Sequence, residues 1–494
     1  MCWFKFQMKE PWIRYFKSLI YNSVAELRFN TIIIKMKKFT TLLGILTITT
    51  LTFAQTPHSL PHILIEGNPG DEYTKCKYYF VENQDKDTIK LQAKIRWRGN
   101  TAKAFNKKSY AIKIIDDKGK GKDVSFLGMR KDNNWILDAM AIDKARMRNR
   151  VSFDLWNDFS NKSYIFNYDK KAINGTRGNF VEVYLNGEYN GIYCLTEKID
   201  RKQLRLNKYN KDGVHGILYK ADGFLYTGFW EVDQYDNSKM TWGGWEMKYP
   251  ELDKGESIDW KPLYDATSFI LNSTDKEFDE KVSNVFDLPV WADYYLFANV
   301  IMAFDNSAKN VFTYIYDNKT SQKLGFAPWD LDATWGRNHI GKLLSAQKKV
   351  PFHKLYSRLL KSEKINFMEN IAHRYLELRK TILSEKALKE RFHNYFQLFK
   401  ETGAAQRETE KWNGVNGIEI DFDKEESYIN KWIEERLTYL DEKVKVFSTK
   451  INTFEEEKDI SNHSNIYTLE GIKVNEKDLK PGIYIKNKKK SIIK

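Results

Sequence analysis

Proline is scarce, at 10 of 494 residues, and cysteine is scarcer, at three. Few prolines beside 15% aromatic and 42% hydrophobic residues exclude a disordered chain. The thiols Cys2, Cys76 and Cys194 make no metal-ligand spacing. Cys76 and Cys194 are left as a candidate pair in an oxidising compartment. No arginine-rich stripe and no nucleic-acid motif occurs. The formal charge of +14 therefore reads as a basic surface favouring acidic partners, not as a nucleic-acid footprint. There are no internal repeats. What remains is a chain long enough for a buried core in two or three packed subregions.

The N-terminal end reads as an address label. Residues 36–54 hold a basic pair, Lys37 and Lys38, then an apolar stretch from Leu42 to Phe53, then Thr52 and Ala54 at the spacing of a cleavage site. That pattern predicts a secretory signal peptide, because the apolar stretch falls short of the roughly 20 residues a membrane span needs. No stable span is expected once it is cleaved. Residues 1–35 fit no leader and read as a mis-assigned upstream extension, with Met36 as the start. Residues 1–54 carry 8 Lys and Arg against 2 Asp and Glu, so the remainder has a net charge of +8.

Between residues 63 and 194 the dominant pattern is period-two alternation. Residues 91–98 alternate and meet the turn pair Gly99 and Asn100, and residues 109–114 alternate again. Residues 181–185 and 188–195 flank Asn186 and Gly187, the pair that a two-residue type I′ hairpin turn demands. A helix is expected within 140–159. After about residue 285 the period becomes helical, over 290–301, 354–400 and 425–447. The fold class expected is α+β in two lobes, with a sheet-rich lobe at about 60–200, an insertion at about 202–280 and a helical lobe at about 285–450. A polar linker (451–465) and a small β unit (466–494) follow. Nucleotides commonly bind at such lobe junctions.

Residues 304–336 carry the chemistry. Asp305 and Asn310 are separated by four residues, an alternating run and a turn follow, and a second strand leads to Trp329, Asp330, Leu331 and Asp332. Phosphoryl transfer needs a carboxylate near the acceptor hydroxyl and metal ions to hold the phosphates. Asp-x-x-x-x-Asn is the spacing of kinase catalytic loops, where Asp faces the acceptor and Asn ligates metal. In an extended segment Asp330 and Asp332 would share a face, and two hard oxygen ligands suit Mg²⁺ or Mn²⁺.

Six segments in order resemble the CotH (spore-coat protein H) kinase family across about residues 60–400. They are residues 95–101, 105–114, 143–149, 185–193 with Glu197, 305–310, and 329–332 with Gly336. The resemblance implies an atypical secretory-type, ATP-dependent kinase acting on Ser or Thr of surface or secreted proteins, with Asp305 catalytic and Asn310, Asp330 and Asp332 at the metal. It places Arg98, Gly99, Asn100 and Thr101 where a turn closes over phosphates, although this is not the Gly-rich loop of ordinary kinases. Lys108 and Lys113 compete for the phosphate-pairing lysine. Arg148 is read as a phosphate contact or a helix brace, and Glu197 as an adenine-side hinge residue or the partner of Lys198 or Arg201. The C-terminal tail resembles the sorting segments of exported Bacteroidetes proteins, similar to type IX sorting domains; the plain alternative is a closing hairpin. Export to the periplasm, cell surface or medium follows from these labels. ATP is scarce there, so such a chain acts in transit, uses leaked ATP, or is not a kinase at all.

Two other readings compete. One is a non-catalytic adhesion or structural protein on a kinase-like scaffold, for which the carboxylates are dispensable. The other is a carbohydrate-active protein, prompted by paired acids and by Trp97, Trp135, Trp230, Trp242, Trp245 and Trp260. Those tryptophans are scattered, and several fall at core spacing.

Overall fold

In a computed structural model the chain is described over residues 59–83, 86–223 and 227–461 and over short strands between 466 and 493, with side chains as far as residue 445. The expected extension 1–35, the signal peptide 36–54 and Cys2 lie outside the described residues. The alternating runs form a ring of strands: β1 (His62–Glu66), β2 (Thr74–Val81), β3 (Ile89–Arg98), β4 (Ser109–Ile115), β5 (Asn134–Asp138), β6 (Gly178–Leu185) and β7 (Glu188–Thr196). Their order is β1-β2-β3-β4-β5-β7-β6, a closed barrel. The β1–β6 pairing is parallel, His62 opposite Glu182 through Ile65 opposite Leu185, and it closes the ring so that no strand edge is left unpaired. Alternate residues such as Ile63, Tyr78, Ile95, Ile112, Trp135 and Val183 fill the interior. Each contributes about 1.5–3 kcal/mol by leaving water.

The hairpin between β6 and β7 forms as its sequence demands. Leu185 pairs with Glu188 across Asn186 (φ 52°) and Gly187 (φ 85°). Cys76 on β2 and Cys194 on β7 are both buried, free thiols.

Two expectations change in the second half. Segment 202–280 is not a separate insertion. It supplies β8 (Ile217–Ala221), β9 (Thr241–Trp242) and β10 (Trp245–Tyr249) to a five-stranded sheet with β11 (Val311–Ile315) and β12 (Gly325–Pro328), in the order β12-β11-β8-β10-β9. The reason it is hard to see is burial: β8 is buried along nearly its whole length and so lacks the alternation of a half-exposed strand. The half expected to be helical therefore carries a sheet of its own. Helices in this half run at Lys261–Asn272, Asp275–Val285, Leu288–Ile301, Lys354–Leu359, Phe367–Arg379, Glu385–Glu401 and Ala404–Trp412; Leu288–Ile301 packs on β12 and Ala404–Trp412 on β7. The second change is at 451–465: the backbone helix Phe422–Ser461 continues through most of the expected linker. Beyond it, β13 (Ile466–Thr468), β14 (Lys473–Val474), β15 (Gly482–Lys486) and β16 (Lys489–Ile493) make a small antiparallel sheet. The fold class is mixed α+β. No helix among the described residues is long and apolar enough to cross a membrane.

Candidate active site

The β11–β12 hairpin brings the two halves of the acidic motif together. Val311 lies opposite Pro328, so Asn310 and Trp329 flank the open end, and the Trp329 N–H donates to the Asn310 carbonyl at 2.9 Å. Asn310 takes φ 56°, and its N–H donates to the Ala221 carbonyl of β8 at 3.0 Å. The buried Asn306 amide donates to the carbonyls of Trp329 (2.6 Å) and Asp330 (3.2 Å). Tyr294 of the helix Leu288–Ile301 donates its hydroxyl to the Asn306 carbonyl at 2.7 Å. The loop that carries Asp305 is thus fixed to the loop that carries Asp330.

Asp305 itself lies on a short 3-10 turn, Phe304–Asn306. Its carboxylate accepts from the Asn310 amide at 3.0 Å and pairs with Lys309 at 3.0 Å, and His339 stands 4.0 Å away. The Asn310 amide oxygen is left as an acceptor or ligand. Asp330 adopts φ 58°, so residues 330–332 are not an extended segment and the shared-face argument from strand geometry fails. The intervening Leu331 is fully buried, and the Leu331 N–H donates to Asn149 at 3.0 Å. Asn149 in turn donates to Asp138 at 2.9 Å. Sequence reasoning missed Asp138, which ends β5, and Asn149, which starts the helix Arg148–Phe159.

Five carboxylates act on one another here. The protein around Asp332 pushes its carboxyl well above the ordinary range, and Asp330, Asp138, Asp143 and Asp305 add to the rise. Asp330 is raised by its surroundings and by Asp138 and Asp305, against the pull of Arg98 and Lys220. Water still reaches both, since Asp330 is exposed and Asp332 half-buried. A cation would relieve this repulsion. Among the described residues no three His, Cys, Asp or Glu side chains stand close enough to hold a metal alone. Mg²⁺ fits such a donor set, because it takes one or two carboxylates and completes its shell with phosphate oxygens and water.

The expected phosphate-binding residues divide. Arg98 reaches the site: its guanidinium lies 5.5 Å from the Trp329 ring. Gly99 turns with φ 95°, and a Cβ there would meet that of Ala102 at 2.7 Å. Asn100 is exposed and precedes the 3-10 turn Thr101–Ala104. Neither competing lysine is brought to the carboxylates. Lys108 donates to the Lys103 carbonyl at 2.5 Å and stands over Trp97, while Lys113 points out of the barrel over Tyr73. The cations that reach the cluster are Arg98, Lys309 and Lys220 on β8. Arg148 is a brace. It is wholly buried, pairs with Asp143 and Glu425 at 2.6 Å each, and donates to the Thr334 carbonyl. Asp143 also accepts from the N–H groups of Met147 and Arg148, capping a helix start that has no side-chain cap of its own. Glu197 is buried and pairs with Arg177 at 2.7 Å, not with Lys198 or Arg201.

A family model described as CotH kinase protein matches residues 95–440, which run from the end of β3 through β12 and include Asp138, Asp305, Asp330 and Asp332. The chain belongs to the CotH kinase protein family. It is also 27% identical over 279 residues to the inner spore coat protein H of Bacillus subtilis (strain 168), an alignment covering 55% of this chain and 67% of that protein. The match begins inside β3, later than the expected start at about residue 60, and runs into the helix Phe422–Ser461, past the expected end at about residue 400.

Proposed function

We propose that this CotH-family chain is an exported protein kinase that transfers the ATP γ-phosphate to Ser or Thr of surface or secreted proteins. The observation that carries the reading is the β11–β12 hairpin and the Asn306 amide, which tie the Asp305 loop to the Asp330 loop beside Arg98 and Lys309; on this reading these residues, with Asp332 and Lys220, line the cleft that takes the nucleotide. On this reading the barrel is the counterpart of a kinase N-terminal lobe, and the β8–β12 sheet with its helices is the counterpart of the C-terminal lobe. Asp305 accepts the proton of the acceptor hydroxyl. The hydroxyl oxygen then bonds to the γ-phosphorus as the bond to the β-phosphate oxygen breaks, and ADP leaves. Lys309 and Asn310 keep the Asp305 carboxylate oriented. Asp330, Asp332 and the Asn310 amide oxygen would hold Mg²⁺ or Mn²⁺, which when bound supplies charge neutralisation for the phosphates. Arg98 and Lys220 add fixed positive charge where phosphate oxygens would lie. The signal peptide and the sorting-like tail support export.

The test is incorporation of label from γ-labelled ATP with Mg²⁺ or Mn²⁺ into residues 55–494, compared with Asp305→Asn and Asp332→Asn. Label in the wild type that both variants lose is the expected result. Equal labelling of all three, or no nucleotide binding, favours the non-catalytic scaffold instead.

A further inference from the structure

A second site lies apart from the carboxylate cleft. A cavity of about 690 Å³ opens among the loop before β5, the 169–173 loop, Arg177 just before β6 and the turn 201–206 after β7. Eight of its twelve lining residues are Arg or Lys, and one is acidic. A run of exposed lysines is ordinarily just a solvated face. Two features separate this pocket from one. Its arginines are held in place by carboxylates: Arg130 is bidentate to Asp200 at 2.9 and 3.0 Å, and Arg177, with its side chain 42% exposed, is anchored by the fully buried Glu197. Three of its four lysines are not neutralised: among the described residues Lys131, Lys170 and Lys171 have no carboxylate within ion-pair distance, while Lys202 stands 3.4 Å from Asp132.

We propose that this pocket binds a compact anion carrying two or more phosphate groups. The volume lies within the range of small-ligand sites. Arg130 and Arg177 spend their paired N–H donors on Asp200 and Glu197 and so fix the shape of the wall, while the unpaired ammonium groups supply the donors and the charge that a multiply ionised ligand needs. A carboxylate ligand would match one or two of these cations. A polyphosphate matches the whole wall. The proposal is independent of the kinase reading, since none of these residues belongs to the carboxylate cleft.

Isothermal titration of residues 55–494 with tripolyphosphate tests it, in EDTA so that no divalent metal can recruit the probe to the cleft. One saturable site is expected, weakening steeply with added salt and binding inorganic phosphate far more weakly. Lys131→Glu with Lys171→Glu should weaken tripolyphosphate at least tenfold, while Asp332→Asn should bind as the wild type does. If charge reversal disturbs folding by circular dichroism, Lys131→Gln with Lys171→Gln decides, with a smaller loss expected. No saturable binding in the wild type, or unchanged affinity in the folded double variant, overturns the proposal.

Discussion

Removing one carboxylate should test how the barrel is held to the helices. Glu408, on the helix Ala404–Trp412, is fully buried between two cations: Lys107 at 2.6 Å and Arg146 at 2.7 Å, each 2% exposed. Its second oxygen accepts from the Ile192 N–H of β7 at 2.7 Å, and Lys107 also donates to the Ile192 carbonyl. Burial opposes ionisation of Glu408, but Lys107 and Arg146 outweigh it and hold the carboxyl below its ordinary range. Glu408→Ala would leave Arg146 without its counter-charge, Lys107, which burial already pushes down to about 7, without the carboxylate that keeps it charged, and one strand N–H without an acceptor. Breaking a buried pair costs about 3–5 kcal/mol, and an orphaned buried N–H about 1–3 kcal/mol. The two overlap, so the expected loss is about 4–6 kcal/mol. Urea unfolding followed by tryptophan fluorescence measures it. Glu66→Ala, which breaks the exposed Lys77–Glu66 pair, is the control and should leave the midpoint within error. A loss below about 1 kcal/mol for Glu408→Ala would show that this triad does not hold the barrel to the helix, since breaking a buried ion pair so arranged should cost more.

Three further outcomes are expected. Asp332→Asn should stabilise the metal-free protein at neutral pH, because a carboxyl raised in the folded state destabilises it once ionised. The gain should be complete above the raised folded value and vanish as pH falls through it towards the unfolded value of 3.8; thermal melts from pH 8 to pH 4 read it. Asn149→Ala removes the bridge from Asp138 to the Leu331 N–H. It should cost about 1–2 kcal/mol and lower any phosphoryl transfer by about 10–100-fold through misplacement of Asp330 and Asp332. Gly187→Ala meets no neighbouring atom but must keep φ 85°, so it should destabilise by about 1–2 kcal/mol, checked by the shift in urea midpoint.

Much of the barrel was legible because its strands are half-exposed in pattern, with one face turned to a single core. Residues 91–98 and 109–114 alternate, and Asn186 and Gly187 specify their own turn. Closure was not legible, since the β1–β6 pairing joins segments more than a hundred residues apart. β8 was missed because burial on both faces erases the period, and Lys220 was missed with it. In the site, the Asp305 to Asn310 spacing and the hairpin to Asp330 could be read directly, because register within one hairpin is local. Asp138 and Asn149 could not, since their role depends on where β5 and the following helix start meet the hairpin. The lysine choice failed for a related reason: strand parity sends Lys113 outward, and only tertiary packing shows that Lys108 turns back to its own loop.

On the proposed function the clustered carboxylates hold a divalent cation against a nucleotide. Manganese paramagnetic resonance, titrating Mn²⁺ into protein with ATP, measures this without requiring turnover. A bound ion is expected in the wild type and should be lost or greatly weakened in Asp330→Asn with Asp332→Asn. Equal Mn²⁺ binding by the wild type and the double variant would rule out a metal site at these carboxylates.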